Sequence, residues 1–134
     1  MFSAMLLTIS IVALAQFAMY YVRSVVAGVA AQPISHDVLT AVSLNGSPLS
    51  GRDFRIVAKL YDLTPNLQRT SSGIGLVRAY FSVVHAIGRV TSGRVASLAR
   101  WAEGERLLCV RYAAVQVDRR LQSNLALAAA IRSC

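Results

Sequence analysis

The sequence predicts an all-α protein in which one N-terminal transmembrane helix is followed by a small helical bundle with a long C-terminal central helix. Three observations support this prediction. Residues 1–22 contain no charged side chain. Apolar residues between positions 35 and 132 recur at three- and four-residue spacing, which is the pattern of amphipathic helices. Apolar and polar residues nowhere alternate for long enough to indicate a β-strand.

The apolar segment 1–22 is long enough to cross a membrane, because as a helix it would extend over about 33 Å and a hydrocarbon core is about 30 Å thick. We expect Tyr20, Tyr21 and Arg23 to lie at the membrane interface, where aromatic rings and long cations meet the headgroups. Gln16 is the one strongly polar residue in the segment. Its amide either binds a polar partner inside the membrane or reaches toward the interface near Tyr20.

Whether this segment is retained or removed decides where the rest of the chain works. The small residues at 29–31, "VAA", resemble a cleavage site, but a secretory signal needs basic residues before its apolar core, and here the first is Arg23. We therefore predict an uncleaved anchor over residues 1–31, whose helix continues past Arg23 until Pro33. By the positive-inside rule Arg23 places the N-terminus outside and the C-terminal domain in the cytoplasm. The alternative is a secreted helical protein cleaved near Ala31.

A short connecting region is predicted to separate the anchor from the domain. Residues 32–49 form a linker with a short helix, for which Ser35 is the expected N-cap. The segment "NGSPLSG" at 45–51 has the composition of a turn. Residues 50–134 then form one small helical domain, which is long enough to bury a modest core.

The first helix of the domain has recognisable start and stop signals. Ser50 and Asp53 have the spacing of a capping box, and Pro65 stops the helix. Its apolar face consists of Phe54, Val57, Leu60 and Tyr61. A second amphipathic helix is predicted over residues 73–88, with a break between Gly88 and Gly93. Its apolar face consists of Leu76, Val77, Tyr80, Val83, Val84 and Ile87.

The longest helical pattern extends from about Ser92 to Arg132 and has two apolar faces, which is typical of the central helix of a bundle. One face consists of Leu98, Trp101, Leu108, Tyr112 and Val115, and the other of Leu107, Val110, Ala114, Val117, Leu121, Asn124, Ala128 and Ile131. We predict that the part 105–121 is buried and that Gly104 is a candidate kink. Trp101 and Tyr112 are expected to be packing residues, either in the domain's own core or at an interface with a partner.

No residue pattern points to catalysis, to a bound metal or to a cofactor, so we expect a protein that is not an enzyme. Cys109 and Cys134 would lie about 37 Å apart on one helix, which is too far for a disulfide. His36 and His85 lack an accompanying nucleophile and oxyanion site. The six carboxylates are too scattered for a metal site or an acid–base pair.

Positive charge is concentrated in the C-terminal half of the chain. The formal net charge is +8, and ten of the arginines lie in residues 69–134. These arginines point in several directions on a helix rather than forming one stripe, so nucleic acid is not the expected partner. Arg119 and Arg120 are expected to form an ordinary solvated patch. Anionic lipid headgroups are closer than nucleic acid to a basic domain that is tethered under a membrane, so they are the more plausible ligand of its arginines.

These observations predict a single-pass membrane protein that acts as a non-catalytic accessory or structural subunit of a larger membrane complex. An energy-transducing complex, respiratory or photosynthetic, is one candidate. Its expected partners are other membrane-protein subunits and the bilayer. The alternative is a membrane-tethered binding or regulatory module that uses its arginine-rich helices on anionic lipid or nucleic acid.

Overall fold

The structure, a computed structural model, describes residues 1–42, 50–67 and 73–134. These ranges contain five α-helices, one short 3₁₀ turn and no strand, which confirms the all-α prediction. The elements are α1 (Phe2–Ala30), α2 (His36–Val42), the 3₁₀ turn (Gly51–Asp53), α3 (Phe54–Leu63), α4 (Ile74–Thr91) and α5 (Ala96–Arg132). The predicted turn at 45–51 lies partly outside the described residues.

Helix α1 is continuous from Phe2 to Ala30 and is long and apolar enough to cross a membrane. Residues 1–18 are all exposed. The apolar extension after Arg23, in contrast, packs against the chain's own bundle, since Val26 and Ala30 are buried.

Helix α3 forms as the sequence predicted. The capping box is present, with the Ser50 backbone N–H donating to Asp53 at 2.8 Å and the Ser50 hydroxyl oxygen accepting from the Arg52 backbone N–H. The helix ends at Leu63, just before Pro65. Its buried residues are Phe54, Val57, Ala58 and Tyr61. The predicted face is therefore the one that packs, with Leu60 partly buried at its edge.

Helix α4 continues three residues beyond its predicted end at Gly88, so the break begins at Ser92. The reason is that Gly88 is a packing residue, not a helix stop. A β-carbon placed on it would lie 3.3 Å from the β-carbon of Ala102, so the missing side chain lets α4 approach α5 closely. Val77, Tyr80 and Val84 are buried on the same face. The predicted stripe was too wide, because Leu76 and Val83 are exposed.

Helix α5 is the centre of the bundle, as predicted, and each of the other four helices packs on it. It begins at Ala96 instead of Ser92 and is continuous through Gly104. Its buried residues are Ala102, Glu105, Cys109, Val110 and every position from Tyr112 to Asp118. Beyond residue 124 the helix is exposed on all sides, so its C-terminal end projects past the bundle.

Helices α1 and α5 run in the same direction. Arg23 meets Glu105, and farther along both segments Gln32 meets Arg119. The exposed N-terminal part of α1 therefore leaves the bundle at the end where α5 begins. We call this the proximal end, and the end from which the C-terminus of α5 projects the distal end.

Helix α4 runs against α5, because Tyr80 meets Glu105 while the later residue Gly88 meets the earlier residue Ala102. The C-terminus of α4 and the turn 92–95 that joins it to α5 thus lie at the proximal end. This placement determines which surface lies on the same side of the bundle as the exposed part of α1.

Candidate functional site

Within the described ranges, His, Cys, Asp and Glu side chains form no group of three or more that could hold a metal ion. The polar groups that the fold brings together are instead of two kinds. Some join the anchor and its linker to the central helix, and others line an open groove between α3 and α4.

Glu105 is the centre of the first polar cluster. Its side chain, on the central helix, is only 3% exposed. Arg23 reaches it from α1, with the guanidinium Nε 2.8 Å from Oε1. The Tyr80 hydroxyl, on α4, donates to Oε2 at 2.8 Å. Both oxygens of a buried carboxylate therefore have partners, and the cluster joins α1, α4 and α5 at one point.

The buried groups around Glu105 are held in their protonated forms. Burial raises the pKa of Tyr80 well above its ordinary value, and the hydrogen bond to Glu105 raises it further. Burial, together with the charge of Glu105, raises the pKa of the Cys109 thiol to about 12. Cys109 is therefore not a nucleophile at neutral pH, because a nucleophilic cysteine needs its thiolate.

Asp118 is the centre of a second cluster nearer the distal end. It is buried on α5 and accepts hydrogen bonds from the Ser35 hydroxyl at 2.5 Å and from the Gln122 amide at 3.2 Å. Arg119 donates to the Gln32 amide oxygen at 2.5 Å. Ser35, predicted as an N-cap, thus directs its hydroxyl to the central helix. The linker after α1 is fixed to α5 by these bonds.

Arg120 is a structural residue, so the prediction that it belongs to a solvated patch is wrong. Its guanidinium lies 3.5 Å from the centroid of the Tyr61 ring. It also donates to the backbone carbonyls of Tyr61 and Thr64, at 3.0 and 3.1 Å. These carbonyls are at the C-terminal end of α3, which has no following helical turn to satisfy them. Arg120 therefore fixes the end of α3 to α5.

An open groove of about 720 Å³ lies between α3 and α4. Its floor is aromatic, because Phe54 stacks on Phe81 with ring centroids 4.0 Å apart, and Phe81 stacks in turn on His85. The groove exists because α3 and α4 both pack on α5 but separate from each other toward solvent. His85 is thus an aromatic wall residue of this groove.

The rim of the groove is basic. Among the described residues that line it are four cations, Arg55, Lys59, Arg78 and Arg89, and one carboxylate, Asp62. Asp62 is already paired with Arg78 at 2.7 Å. The groove therefore combines an apolar floor with an excess of positive charge, which suits an amphipathic occupant with acidic side chains. Sequence reasoning missed it, although Arg55, Lys59 and Asp62 recur on one side of α3 at i, i+4 and i+7.

The residues predicted to lie at the membrane interface are found where α1 leaves the bundle. Tyr20 and Tyr21 are exposed, and Gln16 is exposed one turn farther out. Arg23, although half exposed, is paired with Glu105. That Tyr20, Tyr21 and Arg23 lie at a membrane interface stays a prediction.

The two predicted packing residues belong to the domain's own core. Tyr112 is buried, and Trp101 is partly buried and packed against the core cluster. Tyr112 and Val26 of α1 belong to the same core cluster, so Tyr112 is part of the core on which α1 packs. Cys109 is buried and Cys134 is exposed, and both are free, as their separation predicted.

No protein-family model, curated protein or solved structure matches this chain.

Proposed function

We propose that this protein is a membrane-anchored, non-catalytic accessory subunit of a larger membrane protein complex. Helix α1 is its single transmembrane segment, with the N-terminus outside and the bundle in the cytoplasm. The observation that carries the proposal is the groove between α3 and α4, an open surface with an aromatic floor and a basic rim on a bundle that is firmly attached to an apolar helix.

The groove has the chemistry of a protein-binding surface. Aromatic residues and arginines are enriched at the centres of interfaces, and here Phe54 and Phe81 line the groove together with Arg55, Arg78 and Arg89. The excess of cations favours a segment of a neighbouring subunit that has acidic side chains at its edges. Such a segment would replace water on the stacked rings and pair with the rim.

The attachment of α1 gives this surface a defined position. The anchor is held by the burial of Val26 and Ala30, by the Arg23–Glu105 ion pair, and by the bonds from Gln32 and Ser35 to α5. The segment that connects α1 to the bundle is therefore fixed to α5. A rigid connection lowers the entropy lost when the groove meets a partner in the same membrane.

The cytoplasmic orientation is supported by the charges near the end of the anchor. Arg23 follows the apolar segment, while residues 1–22 have no Lys or Arg. Exposed arginines at the proximal end of the bundle, Arg89, Arg94 and Arg100, add positive charge on the same side.

The first test is purification from native membranes in mild detergent, with intact mass measurement and identification of the co-eluting proteins. We expect a full-length chain in fixed stoichiometry with membrane subunits, with energy-transducing complexes as the first class to examine. A mature chain that begins near Gln32 would show that the anchor is removed. A full-length chain that runs alone would contradict the subunit proposal.

The groove is tested by reversing charge on its rim. The double variant Arg55→Glu, Lys59→Glu should lose the co-eluting subunits while remaining folded. The matched control is Arg111→Glu, Arg132→Glu, which makes the same charge change at two exposed positions of α5 that do not line the groove. If both variants retain the partners equally, the groove is not the contact surface.

The second candidate is a tethered module that binds anionic lipid or nucleic acid, and the exposed arginines of the proximal end favour it. Binding to nucleic acid would weaken steeply with salt, as phosphate contacts require. Protein in detergent that binds neither duplex nor single-stranded nucleic acid at low salt would leave lipid as the remaining ligand of this candidate.

A further inference from the structure

The proximal end of the bundle presents a surface with alternating basic and apolar side chains. We define the proximal surface by four exposed residues in the turn from α4 to α5 and at the start of α5: Arg94, Val95, Leu98 and Arg100. No Asp or Glu occurs in the sequence between Asp62 and Glu103, so no carboxylate within this region neutralises the arginines.

The parallel arrangement of α1 and α5 directs this surface toward a membrane that α1 crosses. Ala96 precedes Glu105 by nine residues, which corresponds to about 14 Å along α5. Arg23 lies level with Glu105, and the same number of residues back along α1 reaches Leu14. The turn thus extends from the level of the ion pair in the direction of the exposed, apolar part of α1.

The point at which α1 leaves the bundle fixes the expected membrane boundary. Met19 still packs against the core, whereas residues 1–18 are exposed. A hydrocarbon core would surround the exposed part, and its headgroups would begin close to Met19 and the two tyrosines that follow. The turn, at the level of Leu14, lies five residues or about 8 Å beyond Met19 along α1, so the proximal surface meets the headgroup layer and its apolar side chains reach the boundary with the acyl chains.

The side chains of the surface suit that layer. An arginine near an anionic surface favours the bound state by about fivefold, and its effect decays within a Debye length of about 10 Å. Exposed valine and leucine side chains are stabilised at the boundary between headgroups and acyl chains, because their apolar surface is removed from water there. A nucleic acid duplex would have to enter the gap between the bundle and the bilayer, so the geometry favours lipid.

We propose that the proximal surface rests on anionic phospholipid headgroups of the leaflet from which α1 emerges, so that the bundle is attached to the membrane at two places. This inference rests on the transmembrane assignment of α1 in the proposed function. It goes further in naming the ligand and the residues that bind it. The second attachment would fix the tilt of the bundle, and hence the direction in which the α3–α4 groove opens.

The test uses the full-length chain, reconstituted into vesicles of phosphatidylcholine alone or mixed with phosphatidylglycerol. A reporter cysteine is introduced by Ser97→Cys, in the first turn of α5, in a Cys134→Ser background, and is labelled with an environment-sensitive fluorophore. The native Cys134, exposed at the distal end, is labelled in the wild-type chain as the control. Quenching by lipids with a spin label on the headgroup then reports the proximity of each position to the membrane.

We expect the label at position 97 to be quenched at least about twofold more in the anionic vesicles than in phosphatidylcholine. Each arginine near an anionic surface favours the bound state by about fivefold, which is enough for such a difference. The difference should fall as salt is added. The label at position 134 should show little quenching in either vesicle. The reversal Arg94→Glu, Arg100→Glu should abolish the difference at position 97, whereas the matched reversal Arg111→Glu, Arg132→Glu should leave it unchanged.

Extraction of the same vesicles with alkaline carbonate separates the two possible failures. If carbonate removes the chain, α1 does not span the membrane, and the proposed function and this inference both fail. If the chain resists extraction but position 97 is quenched no more than position 134, only the second attachment is wrong. Equal quenching at position 97 in both vesicle types would overturn the requirement for anionic lipid.

Discussion

Arg23 of α1 and Glu105 of α5 form an ion pair in which the guanidinium Nε lies 2.8 Å from Oε1. The pair lies where the exposed apolar part of α1 ends and its buried part begins. Glu105 also accepts a hydrogen bond from Tyr80 of α4. The carboxylate therefore joins α1 and α4 to the central helix α5. The following predictions test this connection and the packing around it.

Arg23→Ala should lower the free energy of unfolding by about 1–3 kcal/mol. The substitution leaves a carboxylate that is 3% exposed with Tyr80 as its remaining partner in the cluster. Breaking a fully buried pair costs about 3–5 kcal/mol, and the expected value is smaller because the Arg23 side chain is 54% exposed. Chemical unfolding in detergent, followed by the fluorescence of Trp101, the single tryptophan, measures it.

Arg111→Ala is the control for this measurement, because Arg111 is exposed on the same helix and should change the stability by less than about 0.5 kcal/mol. In the Arg23→Ala background, Glu105→Gln should recover part of the loss, since it removes the unpaired charge and keeps the shape. Equal effects of Arg23→Ala and Arg111→Ala would show that the pair does not stabilise the junction.

Arg120→Ala should destabilise the bundle by about 1–2 kcal/mol, because two carbonyls at the end of α3 lose their donor and the Tyr61 ring loses its cation. Arg120→Lys should retain less than half of the stability that Arg120→Ala loses, since an ammonium cannot reproduce the planar contacts of a guanidinium. Arg111→Ala, which removes an exposed arginine from the same helix, is the matched control. Thermal unfolding followed by circular dichroism compares the three, and a lysine variant as stable as the wild type would contradict this role of Arg120.

The glycines Gly88 and Gly104 should respond in opposite directions to added side chains. Gly88→Val should cost about 1–3 kcal/mol, because its β-carbon would already be 3.3 Å from that of Ala102 and the extra methyls would separate α4 from α5. Gly104→Ala should stabilise by about 0.5–1 kcal/mol, because its β-carbon meets no atom within 4 Å and alanine is a better helix former. Unfolding midpoints in denaturant measure both, and a stabilising Gly88→Val would disprove the close packing.

The two cysteines should differ sharply in reactivity toward a thiol reagent at pH 8. Cys134 is exposed and should react within minutes, whereas Cys109 is buried with a pKa of about 12 and should react only after denaturation. Counting the modified thiols by intact mass, with and without denaturant, gives the result directly. Two modified thiols in the folded protein would contradict the burial of Cys109.

The raised pKa values of Cys109 and Tyr80 also predict the direction of alkaline unfolding. Both groups ionise more readily in the unfolded chain, so their contribution to stability is complete below pH 9, the ordinary pKa of a thiol. It is lost progressively as the pH rises toward 12. Denaturation curves between pH 7 and 11 should therefore shift to lower denaturant above about pH 9, and Cys109→Ala should reduce the shift.

Much of the fold was predictable because it depends on the spacing of residues that are close together in the sequence. The capping box of Ser50 and Asp53, the stop at Pro65 and the uncharged run over residues 1–22 each involve neighbours within a few turns of helix. The buried centre of α5 was predictable for the same reason, since apolar residues on two faces of one helix require partners on both sides. The end of α4 was misplaced because Gly88 reads locally as a stop, while its role depends on Ala102 of another helix.

The candidate functional surfaces were not predictable, because they are formed by residues from different helices. The groove needs Phe54 and Arg55 of α3 opposite Phe81 and Arg89 of α4, and no spacing within either helix shows that the two stripes face each other. Arg120 is similar, since its partners are the backbone carbonyls of α3, which have no sequence signature at all.

The amino-acid sequence by itself determined the helices, the apolar character of the N-terminal helix and the concentration of positive charge in the C-terminal half. Those properties follow from hydrophobic periodicity, from capping and from composition, which act over short distances along the chain. The tertiary structure alone decided that Arg23 pairs with Glu105, that α1 and α5 run in the same direction and that the turn at 92–95 lies at the proximal end of the bundle. A residue on a helix has many possible partners, and which of them it meets depends on how all the helices pack together on α5.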